Sequence, residues 1–279
     1  MTLVISEVSE RFGCVVVGDS AVTIGKKVVY GAEKVHYSHE ANIGFAIWGN
    51  ACLDGQRVDE LVSSFVSNLG KTDTPRYAGT YLADFLNTQG LNDGRDWSAL
   101  RGGVHICGYE NDVPVLFHVH TGHEPPQPQG IFKLYEDFQD AREGFHLRNG
   151  YYRMFAHLFD SMESYAHGLG QLGFTWPNAA IEDRVSFHSI MVDIVAQTLE
   201  AAGRVPSVGG RVSAIAFNRD GIQVDKRLKR GNEDFCCNKN SRLAVFCEPY
   251  SNDPRDSGAA PASKQPTLPR SGSRSNSRA

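Results

Sequence analysis

Val-Val-Val-Gly-Asp-Ser, residues 15–20, is the stretch on which the fold turns. Three β-branched residues in succession read as a buried strand, and that strand ends on a carboxylate, Asp19, where an unpaired charge is costly. Upstream, Leu3–Val8 is another β-branched run. Ser-Glu-Arg-Phe-Gly separates it from Cys14–Val17 and has the composition of a short loop. The chain is therefore expected to begin with a hairpin.

Downstream, short strands are expected at Lys34–Tyr37 and Ile43–Trp48, after which the period becomes helical. Val58, Leu61, Val62, Phe65, Val66 and Leu69 recur at helical spacing, with Gly70 placed to stop the helix. A second helix carries Tyr81, Leu82, Phe85 and Leu86. Strands Val104–Tyr109 and Val113–Thr121 follow, joined by Glu-Asn-Asp, with another near Phe145–Leu147. Two further helices show stripes, one through Tyr151, Met154, Phe155, Leu158, Phe159, Met162 and Tyr165. The other runs through Phe187, Ile190, Met191, Ile194, Val195 and Leu199. Strands Arg211–Asn218 and Gly221–Asp225 meet at Arg-Asp, and Leu243–Cys247 adds a last one. Strands, helix pair, strands, helix pair, strands: this order suits an α+β domain with helices layered outside packed sheets better than alternating βαβ units.

The 279-residue chain is 41% hydrophobic, ordinary for a globular protein. Its formal net charge is −4. The last 29 residues hold five Lys or Arg against two Asp or Glu, which leaves the first 250 at −7. An acidic body argues against phosphate-driven nucleic-acid binding, and the basic run Lys226–Arg230 reads as a solvated strand end. Six cysteines without a Cys-x-x-Cys pair suit a reducing cytoplasm. No apolar stretch reaches the roughly 18 residues needed to span a membrane, and no signal peptide opens the chain. Residues 1–250 are expected to form one domain, and the Ser-, Pro-, Gly- and Arg-rich residues 251–279 a disordered tail.

Asp19 belongs to a wider set of motifs: Thr-Ile-Gly at 23–25, Gly31, Glu-Lys-Val at 33–35 and Gly-Phe-Ala-Ile-Trp-Gly at 44–49. With Thr2 directly after the initiator Met, these make the sequence resemble a proteasome β-type subunit, an N-terminal nucleophile hydrolase. It is most similar to the betaproteobacterial proteasome homologues. The resemblance covers residues 2 to about 225 and is strongest over 2–51. It implies a four-layer α-β-β-α sandwich and a threonine-type endopeptidase. It also implies self-assembly into two stacked rings, twelve or fourteen subunits in all, acting on peptides or unfolded protein. An ATPase unfoldase is a partner of ATP-dependent relatives, although nothing in this chain identifies one. No cofactor or metal is implied.

The same resemblance assigns roles. Thr2, freed by removal of Met1, would be the nucleophile, and its own α-amine the general base, because covalent geometry puts that amine beside the hydroxyl. An α-amine of ordinary pKa, about 7.7 to 8.0, is largely protonated near neutrality, and an adjacent ammonium, Lys34, would lower it. Asp19 would pair with Lys34. The backbone N–H of Gly49 would serve the oxyanion, and Thr23 would align substrate as an added strand. Val22, Ala32, Ile47 and Ala51 fall at positions lining the specificity pocket, where small apolar side chains suit an apolar P1 residue.

The family's Gly-Ser-Gly, whose serine bonds the threonine amine, appears as Arg-Asn-Gly at 148–150, so Asn149 takes that place. The family's later Asp and Ser align with Val205 and Val208 ahead of Gly209 and Gly210, and a shift of one brings Ser207 into that place. Two alternatives follow. One is a catalytically silent ring-forming subunit, opposed by the retained Thr2, Asp19 and Lys34. The other is a small-amide N-terminal nucleophile hydrolase, opposed by the lack of a long propeptide or large insertions. Gly-Leu-Gly-Gln-Leu-Gly at 168–173 ends a predicted helix instead of opening one, so it is a cap and no phosphate cradle. His118 and His120, with His123 beyond, share a strand face and could make a metal site, but exposed strand polarity beside the His- and Pro-rich loop 122–130 explains them more simply. Vicinal Cys236 and Cys237 lack zinc spacing.

Overall fold

The opening hairpin forms as expected: β1 (Leu3–Ser9) runs antiparallel to β2 (Gly13–Gly18), Val4 opposite Gly18. In this computed structural model the described residues are 2–24, 27–49, 51–53, 55–91, 102–122, 131–136, 145–150, 156–157, 159–161, 164, 179–203 and 208–228. The chain divides into two units, Met1–Cys247 and Glu248–Ala279. The second contains the expected tail and lies outside the described residues. So do the strand expected at Leu243–Cys247, the glycines of 168–173, His123, Val205, Ser207, Cys236 and Cys237.

After the hairpin come β3 (Ala21–Ile24), β4 (Lys27–Tyr30), β5 (Val35–Ser38), β6 (Ile43–Gly49) and the short pair β7 (Cys52–Leu53) and β8 (Gln56–Arg57). Helices α1 (Val58–Val66) and α2 (Pro75–Leu91) lead into β9 (Gly102–Glu110), β10 (Val113–Thr121), β11 (Phe132–Tyr135) and β12 (Phe145–Gly150). Residues 156–157, 159–161 and 164 are helical, within the helix expected from Tyr151. Helix α3 (Ile181–Ala201) precedes β13 (Val212–Asn218) and β14 (Gly221–Leu228). One five-stranded sheet has the order β12-β1-β2-β13-β14, the other β11-β10-β9-β6-β5, and β3-β4 and β7-β8 are two-stranded. The α+β class expected from the element order is the one observed.

Three buried clusters explain why the strands read as apolar runs. On β1, Leu3 and Ile5 join Val15 and Val17 of β2 beneath Met191, Val192, Val195 and Leu199 of α3. The alternate residues Val4 and Val8 join Val16, Ala46, Cys107, Leu116 and Phe217, drawn from strands of both five-stranded sheets. A strand buried on both faces shows no polar alternation. The third cluster sets Phe45, Ile47, Ile106 and Phe117 against Leu61, Val62 and Phe65 of α1 and Leu82 and Leu86 of α2. Each large side chain so buried contributes roughly 1.5–3 kcal/mol.

Two helical readings change. Helix α1 stops at Val66 with Ser67 as its cap, before Gly70, whose N–H is taken by Asp73 Oδ2 at 2.8 Å. Helix α3 buries Met191, Val195 and Leu199 of its expected stripe, but Ile190 is 53% exposed, and Val185, His188, Val192 and Ala196 also face inward. The cause is ionic. Glu7 on β1 is buried, and it accepts hydrogen bonds from the Arg184 guanidinium and from His188 Nε2, the latter at 2.7 Å. Burying an unpaired carboxylate would cost more than exposing one isoleucine. The strands β3, β4, β7, β8 and β11 were not expected; none exceeds four residues, too short for a period to show.

Candidate active site

Thr2 stands at the entry to β1, and Asp19 follows the end of β2, so the β1–β2 register alone brings them together. The Thr2 hydroxyl donates to Asp19 Oδ1 at 2.5 Å. Lys34, immediately before β5, donates from Nζ to Thr2 Oγ1 at 2.5 Å, to Asp19 Oδ1 at 2.9 Å and to the Ala21 carbonyl. Thr2, Asp19 and Lys34 are 2%, 1% and 7% exposed. Three polar groups brought together out of water need every bond they make.

Three acceptors around Nζ match the three N–H bonds of an ammonium; a neutral amine has only two. Burial pushes the Lys34 pKa below its ordinary value, and Asp19 pulls it part of the way back. Lys34 is thus fixed in place by three acceptors, one of them Thr2 Oγ1.

Asp19 is held from several directions. Its Oδ1 also accepts the Leu3 N–H, and its Oδ2 accepts the N–H groups of Ala21 and Gly209, each at 3.0 Å. Five donors therefore fix one carboxylate. Gly209 bears on the missing family residues. Val208 is fully buried in the α3 cluster and offers no polar side chain, but the next residue supplies a main-chain donor to Asp19. The Ser20 N–H bonds the Gly209 carbonyl at 3.1 Å, and Ser20 Oγ accepts the Arg211 N–H at 2.7 Å, locking that junction.

Gly49 closes β6 opposite Gly102 with φ of +95°, a conformation glycine enters without strain. Thr23 lies in β3 opposite Val28, and half-buried Val22 lies opposite Val29. Ala32 is buried, and Ala51 is half-buried. Ile47 is buried in the α1 cluster, and its N–H bonds the Lys34 carbonyl at 2.8 Å.

Asn149, on β12 opposite Val4, gives its Oδ1 to His105 Nε2 at 2.7 Å, and His105 Nδ1 faces Ser6 Oγ at 2.9 Å. An amide oxygen can only accept, so Nε2 carries the proton and Nδ1 accepts from Ser6. Burial lowers the His105 pKa to about 4, and the imidazole is neutral near pH 7. Sequence reasoning passed over Ser6 and His105, although both interrupt apolar strands. It also passed over Gly150. With φ of +96°, a Cβ there would come 1.8 Å from the Thr2 carbonyl oxygen.

His118 and His120 lie side by side, their ring centroids 4.2 Å apart. His118 Nε2 accepts the Trp48 indole N–H at 2.9 Å, so that lone pair is used and cannot bind a metal. Among the described residues no three His, Cys, Asp or Glu side chains are grouped to hold a metal ion. Burial pushes the Cys107 thiol up to about 12 and the Cys14 thiol well above its ordinary value, so neither is a thiolate nucleophile. No helix among the described residues is long and apolar enough to cross a membrane.

No family model matches the chain, and no curated protein does. Solved structures do match. A glycine mutant of Anbu from a Hyphomicrobium species is 17% identical with a TM-score of 0.52, over 84% of this chain and 89% of that one. Anbu from Yersinia bercovieri, described as an ancestral beta-subunit, is 14% identical with a TM-score of 0.55, over 83% and 89%. The Anbu complex from Pseudomonas aeruginosa, described as a helical assembly, is 14% identical with a TM-score of 0.54, over 84% and 88%. At these identities the likeness is one of fold.

Proposed function

We propose that this chain is a proteasome-type threonine endopeptidase with Thr2, exposed by removal of Met1, as its nucleophile. The observation that carries the reading is the convergence of Asp19 and Lys34 on a single buried hydroxyl. The four-layer α-β-β-α arrangement belongs to the same reading, supported by helix clusters on each five-stranded sheet and a third cluster drawn from both. Its placing near the betaproteobacterial homologues rests on the motifs of residues 2–51.

In the proposed reaction the α-amine takes the Thr2 proton as Oγ1 bonds to the scissile carbonyl carbon. Lys34 keeps the amine unprotonated beforehand by charge repulsion, and Asp19 keeps Lys34 charged and aimed. The oxyanion takes a hydrogen bond from the Gly49 N–H. The C–N bond then breaks, and the α-ammonium returns the proton to the leaving amine. Water, deprotonated by the same amine, hydrolyses the ester and restores Thr2.

Copies are proposed to assemble head to tail. Such heterologous contacts close into rings when the rotation per subunit permits and otherwise climb into a helix. The Pseudomonas aeruginosa neighbour, described as a helical assembly, supports a contact of this head-to-tail kind. A catalytically silent subunit is the second reading, favoured by Val208, which contributes no hydrogen-bonding side chain. Intact mass spectrometry before and after an epoxyketone peptide separates the two. Loss of Met1 and one adduct, absent in Thr2→Ala, is the expected result; an unlabelled wild type refutes the peptidase.

A further inference from the structure

The loop 31–34 carries two residues of the site, Ala32 and Lys34, and it is tied down at both ends. The N–H groups of Gly31 and Ala32 both bond the Ser20 carbonyl at 3.2 Å. The Glu33 N–H donates to Asp59 Oδ2 at 3.0 Å. Asp59, in the first turn of α1 and only 8% exposed, is in turn gripped by Arg57. Arg57 Nε donates to Asp59 Oδ1 at 2.9 Å, and its Nη2 donates to Oδ2 and, at 3.4 Å, to the Gly31 carbonyl. Arg57 itself ends the segment that starts at Gly49, and that segment is pinned where the Val58 N–H bonds the Ala51 carbonyl at 2.9 Å.

One carboxylate therefore ties the lysine's loop to the segment bearing the expected oxyanion donor and pocket wall. We propose that Asp59 and Arg57 are positioning residues for the reaction proposed above: Asp59 holds Lys34 and Ala32 in register with Gly49 and Ala51, and Arg57 tempers the negative charge that Asp59 shows to Lys34.

The titratable and charged groups around Lys34 are Asp19 from the end of β2, Asp59 from α1 and, in the proposed reaction, the Thr2 α-amine, with Arg57 of β8, also paired with Glu60, behind Asp59 and exposed Glu33 beside it in the loop. Asp59 adds to Asp19 in favouring the ammonium of Lys34. The two partners must therefore act with opposite sign. Asp59→Asn keeps an oxygen for the Glu33 N–H and removes a negative charge, so Lys34 loses its proton at lower pH. Arg57→Gln leaves the Asp59 charge uncompensated, so Lys34 loses its proton at higher pH. Each displacement is expected to be about half a pH unit to one unit.

The test uses the full chain in two measurements. The first is the pH dependence of epoxyketone labelling, whose alkaline limb should move down in Asp59→Asn and up in Arg57→Gln. In Asp59→Ala the apparent affinity for the epoxyketone should also weaken several-fold, because the loop loses its anchor. The second follows the 13Cε resonance of Lys34, assigned with Lys34→Arg, against pH; it reads the same order of midpoints without any need for activity. Midpoints that fail to separate, or that separate in the reverse order, overturn the inference. A wild type that is unlabelled but shows the expected order of lysine midpoints refutes the proposed peptidase and leaves the electrostatic coupling standing.

Discussion

Replacing Asp19 by asparagine keeps the shape of the side chain and removes its charge. Both oxygens are committed as acceptors: Oδ1 to the Thr2 hydroxyl, the Leu3 N–H and Lys34, and Oδ2 to the N–H groups of Ala21 and Gly209. Whichever way the amide is turned, its NH2 faces at least two donors. Lys34, 7% exposed, loses its counter-charge. Breaking a buried pair from one side costs about 3–5 kcal/mol. For a domain of this size that corresponds to a fall of roughly 6–20 °C in Tm. Thermal unfolding followed by circular dichroism at pH 7 measures it, and epoxyketone labelling should be lost in parallel. The double variant Asp19→Leu/Lys34→Met removes both charges and should recover much of the stability with none of the labelling. Asp19→Asn melting within about 2 °C of wild type and labelling at the wild-type rate would refute the claim that this carboxylate organises the site.

Gly150→Ala should abolish labelling and shift the backbone amide resonances of Thr2 and Leu3, because its Cβ would meet the Thr2 carbonyl at 1.8 Å; unchanged labelling would contradict that placement. Glu7→Gln should lower stability by about 3–5 kcal/mol in urea unfolding, since Arg184 and His188 of α3 both rest on that carboxylate; a midpoint equal to wild type would deny it an anchoring role. His105 gives a pH prediction. Its folded pKa, about 4, lies below the ordinary 6.5, so the unfolded chain takes up the proton first and stability falls as the pH drops from about 6.5 to about 4. The loss attributable to this group is about 3 kcal/mol, and a stable His105→Gln variant should show a correspondingly flatter stability profile over that window.

The proposed nucleophile and its charge partners were legible through the resemblance of residues 2–51, a stretch that holds all three within the first five strands. Asp19 ends an apolar strand, Thr2 opens its neighbour, and Lys34 precedes β5. What escaped is what distant segments contribute. Gly209 reaches Asp19 from 190 positions away, and nothing in its neighbours Val208 and Gly210 marks a main-chain donor. Asp59 drew no reading from the sequence, and only the fold shows that it accepts the Glu33 N–H. On α3 the stripe held at Met191, Val195 and Leu199 and failed at Ile190, because period alone assigns an isoleucine to the core. Here Glu7 draws Arg184 and His188 inward and turns Ile190 out.

The position of the opening hairpin within its sheet has a consequence for how the molecule matures. β1 lies between β12 and β2, and β2 lies between β1 and β13, so each of the first two strands to leave the ribosome waits for a neighbour made much later. Non-local pairing of this kind forms slowly. Until β13 docks and brings Gly209 to Asp19, the carboxylate lacks one of its five donors. The candidate site therefore gains its full geometry only on completion of the fold, and under the proposed hydrolase reading that order would protect the nascent chain from its own chemistry.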